Sequence, residues 1–231
     1  MYKYNKILAV IPARGGSKGI ARKNIVHIHD KPLIQYTIDA AKDAKYIDKI
    51  VVSTDDEEIA NISKQCGAEV PFLRPKHLAT DTAKTIEVLI HTVEKLNEVG
   101  EFYDYLVLLQ PTQPIRTSDI IDEAIQTIVD RNEEGLVSIS EVSEHPVLIR
   151  TMNESGKLQN ILNINSTLRR QEFPKYYKVN GSIYINKIND NFTVNTSLND
   201  NNLGFIMDKK YDIDIDEEID LEFLKVLLEN Q

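Results

Sequence analysis

Short apolar runs punctuate the first 140 residues, with stretches of helical spacing between them. Ile7-Leu8-Ala9-Val10-Ile11 is unbroken and short, the pattern of a strand buried on both faces. Ile50-Val51-Val52-Ser53-Thr54, Tyr105 to Leu109 and Leu136 to Ser140 repeat that pattern. Between them, Pro32 to Ala44 sets Leu33, Tyr36, Thr37, Ala40 and Ala41 on one helical side. Asp55-Asp56-Glu57-Glu58 opens a second helix with acids at its positive end, and Thr82 to Leu96 and Ser118 to Val129 read as two more. Strands alternating with helices predict a mostly parallel sheet between helical layers, a three-layer α/β fold.

From about Glu141 to Leu203 the helical period disappears and Asn becomes common. Short β-like runs at Pro146–Thr151, Tyr176–Val179 and Ser182–Ile185 predict an irregular, partly antiparallel insertion. Leu221, Phe223, Leu224, Leu227 and Leu228 mark an amphipathic final helix. No repeat or linker interrupts the chain, so residues 1–231 read as one domain. Its parts are a core over 1–140, an insertion over 141–175 and a completing segment over 176–231. Leu148, Ile149, Met152, Leu158, Ile161, Leu162 and Ile164 are too many apolar groups for a free-standing excursion, so the insertion is expected to build a homodimer.

With 42% apolar and 27% charged residues the chain is neither disordered nor low in complexity. Its net charge of −9 argues against non-specific nucleic-acid or anionic-membrane binding. Cys66 is the only cysteine, which forbids an internal disulfide or a cysteine zinc cage and suits a reducing compartment. The apolar run ending at Pro12 is shorter than a signal-peptide core, and no stretch approaches the ~18 apolar residues of a membrane span. A soluble, cytoplasmic protein is expected.

Ligands of open parallel sheets bind beyond the carboxyl ends of the strands. The segments at those ends, Pro12–Asn24, Ser53–Asp55 and Gln110–Arg116, are polar, as is Asp214–Asp216 near the end of the chain. In the first, Arg14, Lys18, Arg22 and Lys23 supply four cations, while Gly15, Gly16 and Gly19 let main-chain N–H groups approach a ligand. This describes a polyanion cradle, fitting a triphosphate, although neither Walker A nor Gly-x-Gly-x-x-Gly spacing is present. Asp212-Ile213-Asp214-Ile215-Asp216 alternates with the strand period, setting three carboxylates on one face. Their repulsion is relieved by a cation between them, or by solvation with Asp216 capping the last helix.

IPARGGSKGIARKNI followed by KPLIQYTIDAA resembles the start of the acylneuraminate (CMP-sialic acid) cytidylyltransferase family. VVSTDDEEIA, FLRPKHLATD, LLQPTQPIRTSDI, LRRQEFPKYYKVNGSIYI and DIDIDEEIDL continue the resemblance in order over nearly the whole chain. The first loop of the related 3-deoxy-manno-octulosonate enzymes resembles IPARYGSTRLPGKPL, so Gly-Gly-Ser-Lys-Gly here argues for the sialic-acid branch. The resemblance departs at Ala21, where the family often has proline, and at His27-Ile28-His29-Asp30, which reads as a turn.

The resemblance implies a Rossmann-like nucleotidyltransferase fold and transfer of CMP from CTP to the anomeric hydroxyl of a nine-carbon 2-keto sugar acid. An N-acetylneuraminate-like sugar is the leading expectation, with legionaminate or pseudaminate as alternatives. Ala13, Arg14, Gly15, Ser17, Lys18, Lys23, Asn24, Arg74 and Asp81 are implied at the nucleotide. Gln110, Pro111, Thr112, Arg170, Gln171, Asn180 and Tyr184 are implied at the sugar, with Arg170 on its carboxylate. Asp214 and Asp216 are implied as Mg²⁺ (alternatively Mn²⁺) ligands and, with Arg14 and Lys18, as the catalytic set; Asp212 flanks, and Asp220 supports or starts the helix. The Asp-x-Asp-x-x-x-Asp-Leu pattern selects that register.

Several positions have structural alternatives. Asp81 could cap the helix from Thr82, Asp55 could cap the helix after it, and Arg116 could form an ion pair or touch ligand. Asn180-Gly181 looks like a tight turn, and Tyr184 could fill the core with its hydroxyl paired. Two other functions compete: a nucleotide-sugar glycosyltransferase, whose Asp-x-Asp should lie mid-chain, and an inactive nucleotide-binding module, which should lack loop cations or aspartates.

Overall fold

The computed structural model describes residues 1–164 and 169–229. Six strands form the main sheet: β1 (Ile7–Pro12), β2 (Lys49–Ser53), β3 (Tyr105–Leu109), β4 (Gly135–Glu141), β5 (Tyr177–Lys187) and β6 (Leu203–Ile206), ordered β6-β4-β5-β3-β1-β2. β1 pairs parallel with β2 and β3, and β6 pairs parallel with β4. β5 runs antiparallel between β3 and β4. The expected α/β plan holds, with one reversed strand inside it.

The helices are α1 (Leu33–Asp43), α2 (Glu57–Gln65), α3 (Thr85–Glu98), α4 (Ser118–Arg131) and α5 (Glu218–Glu229). Alternation along β1 divides the core. Ile7, Ala9 and Ile11 join Ile34 and Ile38 of α1, Ile59 of α2 and Ile121 of α4, whereas Leu8 and Val10 join Leu89, Val93 and Leu96 of α3. Each fully buried Ile or Leu among these contributes about 1.5–3 kcal/mol. A third cluster lies beyond the strand ends, where Ile20, Leu33 and Ile115 meet Ile213, Ile215, Leu221 and Leu224. It fastens the C-terminal segment beneath the first loop. β1, flanked by β2 and β3, is the point at which the strand order changes direction and a ligand crevice is expected.

The insertion differs from the pattern read in the sequence. Pro146–Leu148 is a single 3-10 turn, and the extended ribbon pairs Arg150–Met152 with Leu158–Asn160. The two β-like runs at 176–185 are one continuous strand, so Asn180-Gly181 is not a hairpin turn. The register passes from Val137↔Tyr184 to Ile139↔Val179, leaving residues 180–183 as a bulge opposite Ser138. Gly181 supplies the φ of 76° that this bulge requires, and the Ser138 hydroxyl accepts from the Ile183 N–H at 2.8 Å. The period-2 pattern on either side was legible, but the compensating serine was not. His145 joins the roots of the insertion: Nδ1 accepts from the Val147 N–H at 3.1 Å, and Nε2 lies 2.9 Å from the Pro174 carbonyl.

Candidate active site

The first loop is held by its own polar groups. Gly15 N–H donates to Asp55 Oδ1 at 2.9 Å, and Asn24 Nδ2 donates to the Arg14 carbonyl at 3.0 Å. The Ser17 hydroxyl donates to the Ile20 carbonyl at 2.6 Å and accepts from the Lys23 N–H at 3.2 Å, closing the loop on itself. Ala13 is buried, with its N–H on the Ser53 carbonyl at 2.9 Å. Arg22, at φ 57°, turns from the cleft to Asp56 at 2.5 and 3.0 Å and to Glu58. The Arg22 guanidinium holds the Asp56 carboxyl below the usual aspartate range. Asp56, not Asp55, caps α2, accepting from the Ile59 N–H at 2.9 Å. Three of the four loop cations, Arg14, Lys18 and Lys23, therefore face the cleft.

Asp81 stands across from them, 2.8 Å from Arg14 and 3.1 Å from Lys18, and Lys18 with Arg14 lowers its pKa. It does not cap a helix. α3 starts at Thr85, where the Glu87 carboxylate accepts from the Lys84 N–H at 3.0 Å. Arg74 is buried, donating from Nε to Ser53 Oγ at 3.1 Å and from Nη2 to the Ser53 carbonyl; burial lowers its pKa to about 10.

The aspartate run joins no sheet. Ile213 and Ile215 are buried as the alternation predicts, while the Ile215 N–H donates to the Thr112 carbonyl at 2.9 Å. Lys23 Nζ reaches the Ile215 carbonyl at 2.7 Å and Asp216 Oδ1 at 3.0 Å, so the loop and this segment meet directly. Asp220 Oδ2 accepts from the N–H groups of Asp216 and Glu217 at 2.9 and 2.8 Å and starts α5; Asp216 does not cap it. Asp212 pairs with Lys178 at 2.9 Å. Asp214 remains open to solvent, but the surrounding walls desolvate its carboxyl and raise its pKa, with nearby Asp216 pushing the same way.

Two cavities share Gln110. The first, about 580 Å³, is lined by Arg14, Lys18 and Lys23, by Arg74 and Asp81, and by Gln110, Pro111, Thr112 and Asp216. The second, about 420 Å³, is lined by Gln110, Gln113, Lys178, Asn180, Gly181, Tyr184, Asp212 and Asp214. The Asn180 carboxamide is braced by Ser138, Ser140 and the Ser182 N–H, and the Tyr184 hydroxyl donates to Asn199 Oδ1 at 3.0 Å. Gln171 is exposed on a one-turn helix away from both cavities, and the Arg170 side chain lies outside the described residues.

Arg116 has no carboxylate partner among the described residues, so the ion-pair expectation fails. Its fork donates to the Ser182 carbonyl at 2.6 Å, to Thr37 Oγ1 at 2.9 Å and to the Gln110 carbonyl. Sequence reasoning passed over this bracing, as it did Lys178 and Gln113.

The match to the cytidylyltransferase family model runs from residue 8 to residue 231. The chain belongs to that family. The CMP-N,N'-diacetyllegionaminic acid synthase of Legionella pneumophila is 41% identical over 78% of this chain and 77% of that protein. The N-acylneuraminate cytidylyltransferase of Escherichia coli O18:K1:H7 is 34% identical over 94% of this chain, which matches 51% of that longer protein. A structure of CMP:2-keto-3-deoxy-manno-octonic acid synthetase complexed with CTP superposes with a TM-score of 0.73 at 18% identity, covering 97% of this chain and 99% of that one. That likeness shows the shared fold.

Proposed function

We propose that this cytidylyltransferase moves CMP from CTP to the anomeric hydroxyl of a nine-carbon 2-keto sugar acid of the N-acetylneuraminate type, releasing pyrophosphate. The observation that carries the reading is the junction of the two cavities. A cleft bearing three cations meets Asp216 on one side and opens, past Gln110, onto a second polar cavity beside Asp214. A triphosphate fits the first cavity and a sugar acid the second, with the reacting atoms meeting between them.

Arg14, Lys18 and Lys23 neutralise the triphosphate and the charge that develops on leaving pyrophosphate, as preorganised electrostatics requires. The main chain of the Gly-rich loop approaches the phosphates, while the Asp55, Ser17 and Asn24 contacts keep its shape. The C2 hydroxyl attacks the α-phosphorus in line; its new O–P bond forms as the bond to the bridging oxygen of pyrophosphate breaks, and the hydroxyl proton passes to solvent water. Arg74 and the loop to Asp81 serve the base, and Arg170 takes the sugar carboxylate by the family motif.

Asp214 and Asp216 would hold Mg²⁺, with Mn²⁺ as an alternative. Their donors are oxygen only, and among the described residues no cluster of three His, Cys, Asp or Glu forms a protein cage. Mg²⁺ retains water and phosphate ligands, so two carboxylates suit it. When bound, it supplies charge neutralisation at the phosphates.

The 41% identity to the legionaminic acid synthase favours legionaminate as a second sugar. Pyrophosphate release from CTP, Mg²⁺ and each sugar acid tests both readings; no release with any sugar refutes them. A homodimer is supported by the uncovered ribbon, where Met152 and Leu158 are 70% and 68% exposed. No helix among the described residues is long and apolar enough to cross a membrane. The acidic charge and lone cysteine support a cytoplasmic setting.

A further inference from the structure

The second cavity carries a hydrogen-bonding group with no protein partner. Gln113 is only 1% exposed, yet neither Oε1 nor Nε2 has a hydrogen-bond partner. Its main-chain N–H bonds to the Gln110 carbonyl at 3.2 Å, so that turn places the residue without help from the carboxamide. The carboxamide lies beside Gly181, where a Cβ would stand 3.7 Å from Nε2, and Gln113 lines the cavity. The contrast with Asn180 is direct. That nearby carboxamide accepts from Ser138 Oγ at 2.5 Å and the Ser182 N–H at 3.1 Å, and donates to Ser140 Oγ at 2.8 Å. Leaving a buried polar atom unpaired is destabilising, a penalty that a methionine of similar length would avoid.

We infer that Gln113 is a specificity-determining residue of the sugar subsite, its carboxamide hydrogen-bonding hydroxyls of the bound sugar acid. This rests on the function proposed above. The terminal torsion of glutamine is broad, so rotation about it turns the amide toward the cavity without moving the backbone. Neighbouring sugar hydroxyls each donate and accept, and together they satisfy Oε1 and Nε2 at once. A site built this way discriminates against a sugar lacking the hydroxyl, because the amide is then left unpaired.

The test compares the full-length protein with Gln113→Met, using pyrophosphate release and thermal melting. The variant should raise the sugar KM about tenfold or more and leave the CTP KM within about twofold. Its melting midpoint should equal or exceed that of the parent. Among monodeoxy sugar acids, one that is poor for the parent should be no worse than the full sugar for Gln113→Met, which identifies the hydroxyl that is read. An unchanged sugar KM overturns the inference. So does a lower melting midpoint, which would mean that the protein or a buried water already satisfies the amide. Failure of the parent enzyme with every sugar acid would refute the proposed function instead; the melting comparison would still decide whether the amide is unpaired.

Discussion

Gly19 lies so close to the main-chain carbonyl of Asp216 that a Cβ on residue 19 would stand 2.2 Å from that oxygen. The phosphate-facing loop and the carboxylate segment, nearly two hundred residues apart, are thus in backbone contact, and Lys23 closes the same seam. Gly19→Ala must separate them. It should cost about 1–3 kcal/mol of stability, the scale of a small overpacking change. It should also reduce kcat/KM for CTP at least about tenfold, because loop cations and aspartates lose their common frame. Melting and steady-state kinetics check both effects.

Asp56 joins the loop to α2 through Arg22 and caps that helix. Asp56→Ala should cost about 1 kcal/mol, mostly from the cap, since the Arg22 pair is partly open to solvent. The folded-state pKa of Asp56 is depressed, so its stabilisation is present above the ordinary aspartate pKa of about 4 and lost as pH falls through the folded value. The gap in melting temperature between parent and variant should therefore be full at neutral pH and close in acid. A gap that persists unchanged below pH 3 would contradict the assignment.

The elements that sequence disclosed best are those whose signal is periodic and local. Ile7 to Ile11 alternates across the two core faces, and the burial of Ile213 and Ile215 followed from the same reasoning. Sequence was less informative where polar side chains compete for one backbone position. Asp55 and Asp56 are equivalent by propensity; the loop claims Asp55 through Gly15, leaving Asp56 to cap α2. Asp81 would be an acceptable cap, but Arg14 and Lys18 hold it across the cleft. Asn180-Gly181 has turn chemistry, yet two long-range partner strands make it a bulge. These outcomes depend on tertiary partners that no local window contains.

Arg116 should prove a brace rather than a ligand contact. Burial alone lowers its pKa to about 9, leaving it charged at neutral pH, with neutral oxygens as its hydrogen-bond partners. Arg116→Lys keeps the charge but loses the planar fork, which joins Gln110, the residue after β3, to the β5 bulge. A loss of about 3 kcal/mol is expected, the scale of one or two charge-assisted bonds. Chemical denaturation measures it, and a loss under about 0.5 kcal/mol would show that the fork is dispensable.

If the ribbon at 150–160 is a dimer surface, charge placed on its apolar side should separate the copies without unfolding either. Met152→Glu with Leu158→Glu should give a monomer by light scattering at micromolar concentration, with an unchanged circular dichroism spectrum. Both positions are exposed, so a charge there costs a lone chain little. A parent protein that is already monomeric and fully active would remove the dimer from the proposal.

The three aspartates of 212–216 occupy different surroundings, which makes their register testable. Asp212 is paired with Lys178, whereas Asp214 is held at a raised pKa by desolvation and by the neighbouring Asp216 charge. Asp216 meets Lys23 but is largely exposed on the cleft side. Asp212 and Asp216 each have a lysine partner, but the Asp212 side chain is only 13% exposed and the Asp216 side chain 72%, so Asp214 and Asp216 are the carboxylates open to an added cation that relieves their repulsion. Asp214→Asn and Asp216→Asn should keep the fold and lower kcat by about two orders of magnitude, the scale of losing an electrostatic stabiliser. Chelation of the parent enzyme should match that loss, and added Mg²⁺ should restore the parent alone. Asp214→Asn should also leave the free protein no less stable at pH 7. A raised folded-state pKa favours the protonated carboxyl, so its contribution is lost as pH rises through that value, and an uncharged amide is spared the loss. Asp212→Asn should be milder, disturbing only the Lys178 pair. A crippled Asp212→Asn beside a near-normal Asp216→Asn would move the metal site one aspartate toward the N-terminus.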